Sequence, residues 1–189
     1  GVPTPHVIVS AFDIETGEEL PYGKKGELRV LTPCRMLEYY NRPEETSQRL
    51  KPDEHGRIWV HTGDMGYVVE DGNVVVCGRI NDSYIDKDGI TIYLFDIEHA
   101  ILDLQEVKQC KAVSVEYKGE KRNICHVVLD ANYDKNDAIK AIKRYCADKL
   151  PESYQPTLIH IYKDALPVAP SGKLDTQKML LENDNLIEI

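Results

Sequence analysis

Three short segments of this chain carry residue types suited to phosphoryl and nucleotide chemistry. The last is Leu166-Pro167-Val168-Ala169-Pro170-Ser171-Gly172-Lys173-Leu174-Asp175, in which one lysine directly follows a glycine and two prolines. Proline fixes φ and glycine admits backbone angles closed to other residues, so the segment reads as a loop with a flexible joint that presents one ammonium group. Such a lysine can neutralise phosphoryl or carboxylate oxygens as charge builds in a transition state. It is no Walker phosphate loop, because Pro167 stands where that pattern needs glycine and Leu174 where it needs Ser or Thr. Taken alone, Lys173 fits an ordinary exposed lysine after a turn better than a catalytic one.

The second segment, Thr62-Gly63-Asp64, lies between Trp59-Val60-His61 and Met65-Gly66-Tyr67. An Asp beside Gly at a strand end can accept two hydrogen bonds from a vicinal diol such as that of a ribose. A plain turn Asp is the alternative. The third, Gly78-Arg79, ends a hairpin; an Arg there can grip ribose or phosphate with its planar fork of donors, or serve as a surface salt-bridge partner. Of the six histidines, only His61 adjoins a candidate site, and none shows metal-ligand spacing. The five cysteines, Cys34, Cys77, Cys110, Cys125 and Cys146, never form C-x-x-C, which argues against a zinc site or disulfide framework and for thiols in a reducing cytoplasm. No Ser/Thr/Gly-rich loop able to hold a nucleotide's phosphates is present.

The elements that must position these residues fall into two groups. The first is β-rich: strands are expected at 6–13, 26–31, 57–61, 67–70 and 74–77, a short helix at 43–50, and a two-residue hairpin turn at Asp71-Gly72. Short strands with regular turns predict a small, barrel-like sheet. After Gly78-Arg79 the pattern changes. A hairpin spans 84–93, followed by a helix near 94–105, strands at 112–117 and 124–131, a long helix at about 135–150 stopped by Pro151, a strand at 158–162 and a short helix near 176–182. The class is therefore α+β: a β-rich subdomain over 1–79, then a small α+β domain over 80–189 with a three-stranded sheet and flanking helices. The boundary falls near Gly78 to Asp82.

Bulk properties narrow the function classes. The formal net charge of −9 argues against general nucleic-acid binding, which needs clustered positive charge. Nothing approaches the ~18–20 apolar residues of a membrane helix. No signal peptide is visible, so a cytoplasmic location is expected, and the missing initiator Met suggests a fragment or a processed chain.

The order of the motifs is more specific than any one of them. Gly26-Glu27-Leu28; Tyr39-Tyr40-Asn41 with Pro43-Glu44 and Thr46; Trp59 with Thr62-Gly63-Asp64 and Gly66; Asp71-Gly72; Gly78-Arg79; Gly89 with Ile97-Glu98; Leu150-Pro151 with Tyr154 and Pro156; and Leu166-Pro167 with Gly172-Lys173 and Asp175 follow one another along nearly the whole chain. In this order they resemble the C-terminal third of the adenylate-forming superfamily, which includes acyl-CoA synthetases, aryl-CoA ligases, luciferases and peptide-synthetase adenylation domains. The resemblance implies that 1–79 ends a large AMP-binding domain and that 80–189 is a mobile lid. It implies ATP, Mg2+ and coenzyme A as reactants of a full-length parent, a small carboxylic acid (fatty or aromatic) as substrate, and Lys173 as the catalytic lysine of adenylation. Asp64, with Thr62, would hold the ribose hydroxyls, and Arg79 the ribose or phosphate. Asn81 would lie at the hinge, and Gly89 on the hairpin facing the pantetheine tunnel.

Three positions depart from the pattern. Asn81 replaces the usual Asp or Lys, the hairpin reads Ile85-Asp86-Lys87-Asp88-Gly89 where lysines are frequent, and Glu38 replaces a glycine. The phosphate loop, adenine-stacking segment and most of the acyl pocket would lie upstream, so the isolated chain is expected to be inactive. A ligase that loads a carrier protein, and a binding module that kept the fold without the chemistry, are the alternative readings.

Overall fold

Among the described residues the strands form three sheets, of five, four and two strands. The computed structural model describes residues 1–182 and 184–189. It divides into two units, Gly1–Asn81 and Asp82–Ile189.

In the first unit, β1 (Ile8–Phe12), β2 (Gly26–Leu31), β4 (Ile58–Val68) and β3 (Leu50–Pro52) lie side by side, and β5 (Val74–Arg79) also pairs with β4. Every pairing is antiparallel. The strand path among the described residues is open, so the expected barrel-like sheet does not close. The helix α1 (Pro43–Arg49) starts at proline and runs directly into β3, a strand absent from the sequence reading. Gly26 stands opposite Gly66 in the β2–β4 ladder. A Cβ on Gly26 would come within 2.3 Å of the Phe12 carbonyl oxygen, and one on Gly66 within 2.2 Å of the Val75 carbonyl oxygen, so both sites demand glycine. The core is completed by Phe12 against Trp59, edge to face at 5.0 Å, with the Arg29 guanidinium 4.4 Å above the Phe12 ring.

The second unit opens with a hairpin, β6 (Ser83–Ile85) and β7 (Thr91–Tyr93), and then α2 (Leu94–Leu102). A four-stranded sheet follows, ordered β11 (Ile187–Glu188), β10 (Leu158–Tyr162), β9 (Glu120–Leu129), β8 (Val107–Tyr117). The expected sheet had three strands; the fourth, β11, is only two residues long and carries no readable alternation. Strands β9 and β10 run parallel, joined through α3 (Lys135–Lys149), as a parallel pair requires a crossover. Asp134 starts α3 by accepting the amide protons of Asn136 and Asp137.

The sheet buries both faces. Ile97 and Ile101 of α2 and Ile142 and Cys146 of α3 pack on Cys110, Ala112, Cys125, Val127 and Ile159. Val113, Ile124, Val128 and Leu158 carry the other cluster, closed by Leu166 and by Met179 of α4 (Thr176–Leu181). Odd and even positions of β9 and β10 thus serve different cores. Between α2 and β8, the Lys111 ammonium meets Glu98 at 2.9 Å and Asp82 at 3.0 Å, and Glu98 also accepts the Ala112 amide.

Candidate functional site

The sequence suggested two strands separated by Thr62-Gly63-Asp64. The structure instead has one continuous strand, β4, with a bulge there. His61 faces Arg29 and Met65 faces Glu27, so three residues of β4 stand against the single Leu28 of β2. Bulges re-aim side chains by lifting a segment out of the ladder. Here several of the freed backbone groups find new partners. The Arg49 guanidinium donates to the His61 carbonyl at 3.1 Å, Arg79 to the Thr62 carbonyl at 3.0 Å, and the Ile80 amide to the Gly63 carbonyl at 3.0 Å. The Thr62 hydroxyl donates to the Leu28 carbonyl at 2.6 Å and accepts the Asp64 amide at 3.0 Å. Gly63 adopts φ +71°, and a Cβ there would stand 2.8 Å from Arg49 Nη1.

Asp64 and Arg79 face each other across β4 and β5, with Nη1 and Oδ1 3.0 Å apart. The Asp64 side chain is 30% exposed and that of Arg79 59%. The pair therefore presents a hydrogen-bonded carboxylate and a guanidinium side by side at the surface. Thr62, Asp64 and Arg79 are brought together; Gly89, Asn81 and Lys173 lie elsewhere in the chain.

Beneath the bulge sits a group that sequence reasoning did not single out as part of a site. Glu27 Oε2 meets His61 Nδ1 at 2.8 Å and Arg29 Nε at 2.9 Å, and Oε1 accepts the Gly63 amide at a long 3.4 Å. Burial pushes the Glu27 carboxyl up, but the Arg29 hydrogen bond and the charges of His61 and Arg29 outweigh it and hold it below the usual carboxylate range. Burial also pushes the His61 imidazole below its ordinary value, only partly opposed by Glu27. The only sequence signal for Glu27 was its place in Gly26-Glu27-Leu28.

Lys173 is exposed, on a tight turn in the second unit. The Ala169 amide donates to the Lys173 carbonyl at 2.8 Å, Gly172 to Ala169 at 2.9 Å, and Asp175 to Pro167 at 2.9 Å. Gly172 has φ +80°. The three bonds and the one left-handed residue close the segment as a short hairpin-like turn. Its base is held by buried Leu166, whose amide donates to Gln109 Oε1 at 3.0 Å, and by Asp175, which caps α4 through the Lys178 amide at 3.0 Å.

Gly89 occupies the same position in a second turn of this kind, with φ +80°; the Asp86 amide donates to Ile90 at 2.9 Å and Gly89 to Asp86 at 3.2 Å. The Asp86 carboxylate turns inward to accept the amides of Asp88 and Ile90, leaving Lys87 and Asp88 exposed. Asn81 is exposed and ends the first unit. On its two sides the backbone is tied within its own unit, Ile80 to Gly63 and Asp82 to Leu94, each at 3.0 Å. Among the described residues no three His, Cys, Asp or Glu side chains converge as a metal site, and no helix is long and apolar enough to cross a membrane.

The fold of the second unit agrees with comparison to known families: residues 96–173 match the AMP-binding enzyme C-terminal domain. Two curated relatives are a 4-coumarate–CoA ligase-like protein of Oryza sativa subsp. japonica, 31% identical over 90% of this chain and 29% of its own, and the fatty acid–[acyl-carrier-protein] ligase ScoC of Streptomyces coeruleorubidus, 32% identical over 92% and 32%. The ATP-bound crystal structure of MatB from Rhodopseudomonas palustris superposes with a TM-score of 0.77 at 26% identity, over 96% of this chain and 35% of that one. The chain belongs to the adenylate-forming ligase superfamily and matches its C-terminal portion. It spans about a third of the length of the curated relatives it matches.

Proposed function

We propose that this chain is the C-terminal portion of an ATP-dependent ligase that activates a carboxylic acid and passes it to a thiol, with coenzyme A as acceptor and a fatty or aromatic acid as substrate. A carboxylate oxygen attacks the α-phosphorus of ATP, the bond to the β-phosphate oxygen breaks, and pyrophosphate leaves. The thiolate then attacks the acyl carbonyl, and AMP departs with the electrons of the acyl–oxygen bond. The observation that carries this reading is the bulge that sets Asp64 beside Arg79. A carboxylate so held accepts hydrogen bonds from both hydroxyls of a ribose, and the neighbouring guanidinium supplies donors for ribose or phosphate.

Lys173 supplies the positive charge that adenylation lacks, since both reacting groups are anions. Its hydrogen-bonded turn on a separate unit suits a lysine that moves as a body with its domain, Asn81 being the hinge and the Gly89 hairpin lying towards the thiol in the second half-reaction. Magnesium would arrive with the triphosphate, because the described residues of this chain converge on no metal site. On this reading residues 1–79 close a large AMP-binding domain and 80–189 form its lid.

A carrier-protein thiol is the second reading, favoured by the 32% identity to a fatty acid–[acyl-carrier-protein] ligase beside 31% to the 4-coumarate–CoA ligase-like protein. Acid-dependent pyrophosphate release by the full-length protein, followed by transfer to coenzyme A or to a phosphopantetheinyl carrier, tests both. Activation of no acid refutes the proposal, and transfer to the carrier alone selects the second reading.

A further inference from the structure

We infer that Glu27 is the positioning residue of the nucleotide site: it braces the β4 bulge from below so that Asp64 and Arg79 stay aimed together. The inference rests on the reading above, in which Asp64 meets the ribose.

Glu27 stands on β2 where the register breaks, paired with Met65 just beyond the bulge. Its carboxylate collects three donors: the His61 ring before the bulge, the Gly63 amide at its centre and Arg29 from its own strand. Arg49 grips the His61 carbonyl from the other side. Glu27 and its two charged or ring partners are each only 12–14% exposed in the side chain, so the brace is shielded from solvent screening.

Nothing else on β2 can take this role. The Leu28 carbonyl, the one ladder acceptor left opposite the bulge, is already occupied by the Thr62 hydroxyl. Without the Glu27 carboxylate, the Gly63 amide loses this acceptor and the His61 ring its anchor, so the segment can relax towards ordinary pairing. Strand side chains alternate in face, so a relaxation by one residue would turn Asp64 away from Arg79. Glu27 touches no substrate itself; it acts through the geometry of Asp64.

Two measurements test the inference. In the full-length ligase, acid-dependent pyrophosphate release is followed with ATP and with 2′-deoxy-ATP for wild type, Glu27→Gln and Glu27→Ala, with Asp64→Asn as the reference for a lost ribose contact. The expected result is a rise of about tenfold or more in KM for ATP in Glu27→Ala, with a smaller rise for 2′-deoxy-ATP, which can lose only its 3′-hydroxyl contact to Asp64. Preference for the ribonucleotide then falls towards that of Asp64→Asn, and Glu27→Gln lies between. Proportional loss with both nucleotides, leaving the preference intact, overturns the inference and assigns Glu27 to stability alone. In the 189-residue chain, amide hydrogen exchange at Gly63 and Asp64 should quicken about tenfold in Glu27→Gln while Tyr67, farther along β4, keeps its rate. Unchanged exchange at Gly63 and Asp64 overturns the brace. If the wild-type ligase activates no acid, the functional reading fails, and the exchange measurement still decides whether Glu27 holds the bulge.

Discussion

The bulge makes a quantitative demand on Gly63 that can be separated from the general cost of a left-handed residue. Gly63 and Gly72 both have positive φ, +71° and +85°, and both belong to the first unit. A Cβ on Gly72 meets nothing within 4 Å, whereas one on Gly63 stands 2.8 Å from Arg49 Nη1. Alanine at either position incurs ~1–2 kcal/mol for a left-handed L-residue, offset by ~0.4–1 kcal/mol from a stiffer unfolded chain. Gly72→Ala should therefore destabilise by about 0.5–1 kcal/mol. In Gly63→Ala the guanidinium must also move, and its hydrogen bond to the His61 carbonyl is lost or bent. A half-buried charged hydrogen bond of this kind adds about 1–2 kcal/mol, for a total near 2–3.

Trp59, the single tryptophan, is 6% exposed and lies in β4, so its fluorescence reports the first unit separately from the second. Urea titration of the 189-residue chain, read through Trp59, should show Gly63→Ala losing about 1–2 kcal/mol more than Gly72→Ala. Equal losses would refute the argument that Arg49 packs against the bulge. Adding Arg49→Ala should shrink the gap, because the clash and the hydrogen bond vanish together.

Four further outcomes are expected. In the full-length ligase, Lys173→Ala should cut adenylation by about 10²-fold or more while sparing thioester formation from supplied acyl adenylate, as single-turnover kinetics of each half-reaction would show; equal loss in both halves contradicts the proposed role of Lys173. The second unit should weaken as pH falls from 6.5 to 4, because burial and the neighbouring His160 hold His126 down at about 4 against the pull of Glu182, so the unfolded imidazole takes a proton that the folded one refuses. Up to about 3 kcal/mol is at stake, and circular-dichroism melts should find this slope flattened in a His126→Gln variant that still folds. Asp134→Ala should lower the stability of the second unit by about 1 kcal/mol in denaturant titration, through loss of the two amides that Asp134 accepts at the start of α3. Lys111→Met should cost about 2–4 kcal/mol, since it leaves Glu98, 14% exposed, without its cation; Lys111→Met with Glu98→Gln should recover part of that loss in the same titration.

The α+β class and most elements were legible because their signals are local. Pro151 follows the end of α3, and Ile142 and Cys146 mark its buried stripe. What the sequence concealed depends on partners far along the chain. Thr62-Gly63-Asp64 has the composition of a turn, and partners 12 to 36 residues away along the chain, Glu27, Arg49 and Arg79 among them, hold it within a strand. Asp71-Gly72 suggested a two-residue turn, yet Val69 and Asn73 close a loop of three, with Gly72 in the left-handed position. The strand β3 is three residues long and β11 two, too short for any alternation to register. Glu27 was visible only as part of Gly26-Glu27-Leu28, because a charged residue on a strand gives no sign of what it will face.

The ion triad of Lys111, Glu98 and Asp82 also bears on how this protein stays apart from its own copies. Strand β8 is an outer strand of its sheet, and such a strand offers unpaired amides as a template for intermolecular β-pairing. The Ala112 amide is one of them, and Glu98 occupies it from α2. A strand approaching there would have to displace a carboxylate already held by Lys111. At the opposite side the sheet ends in the two residues of β11, too few to seed a long ladder. The same charges that join α2 to β8 thus guard the sheet against aggregation, and a variant lacking Glu98 exposes a docking edge as well as a weaker fold.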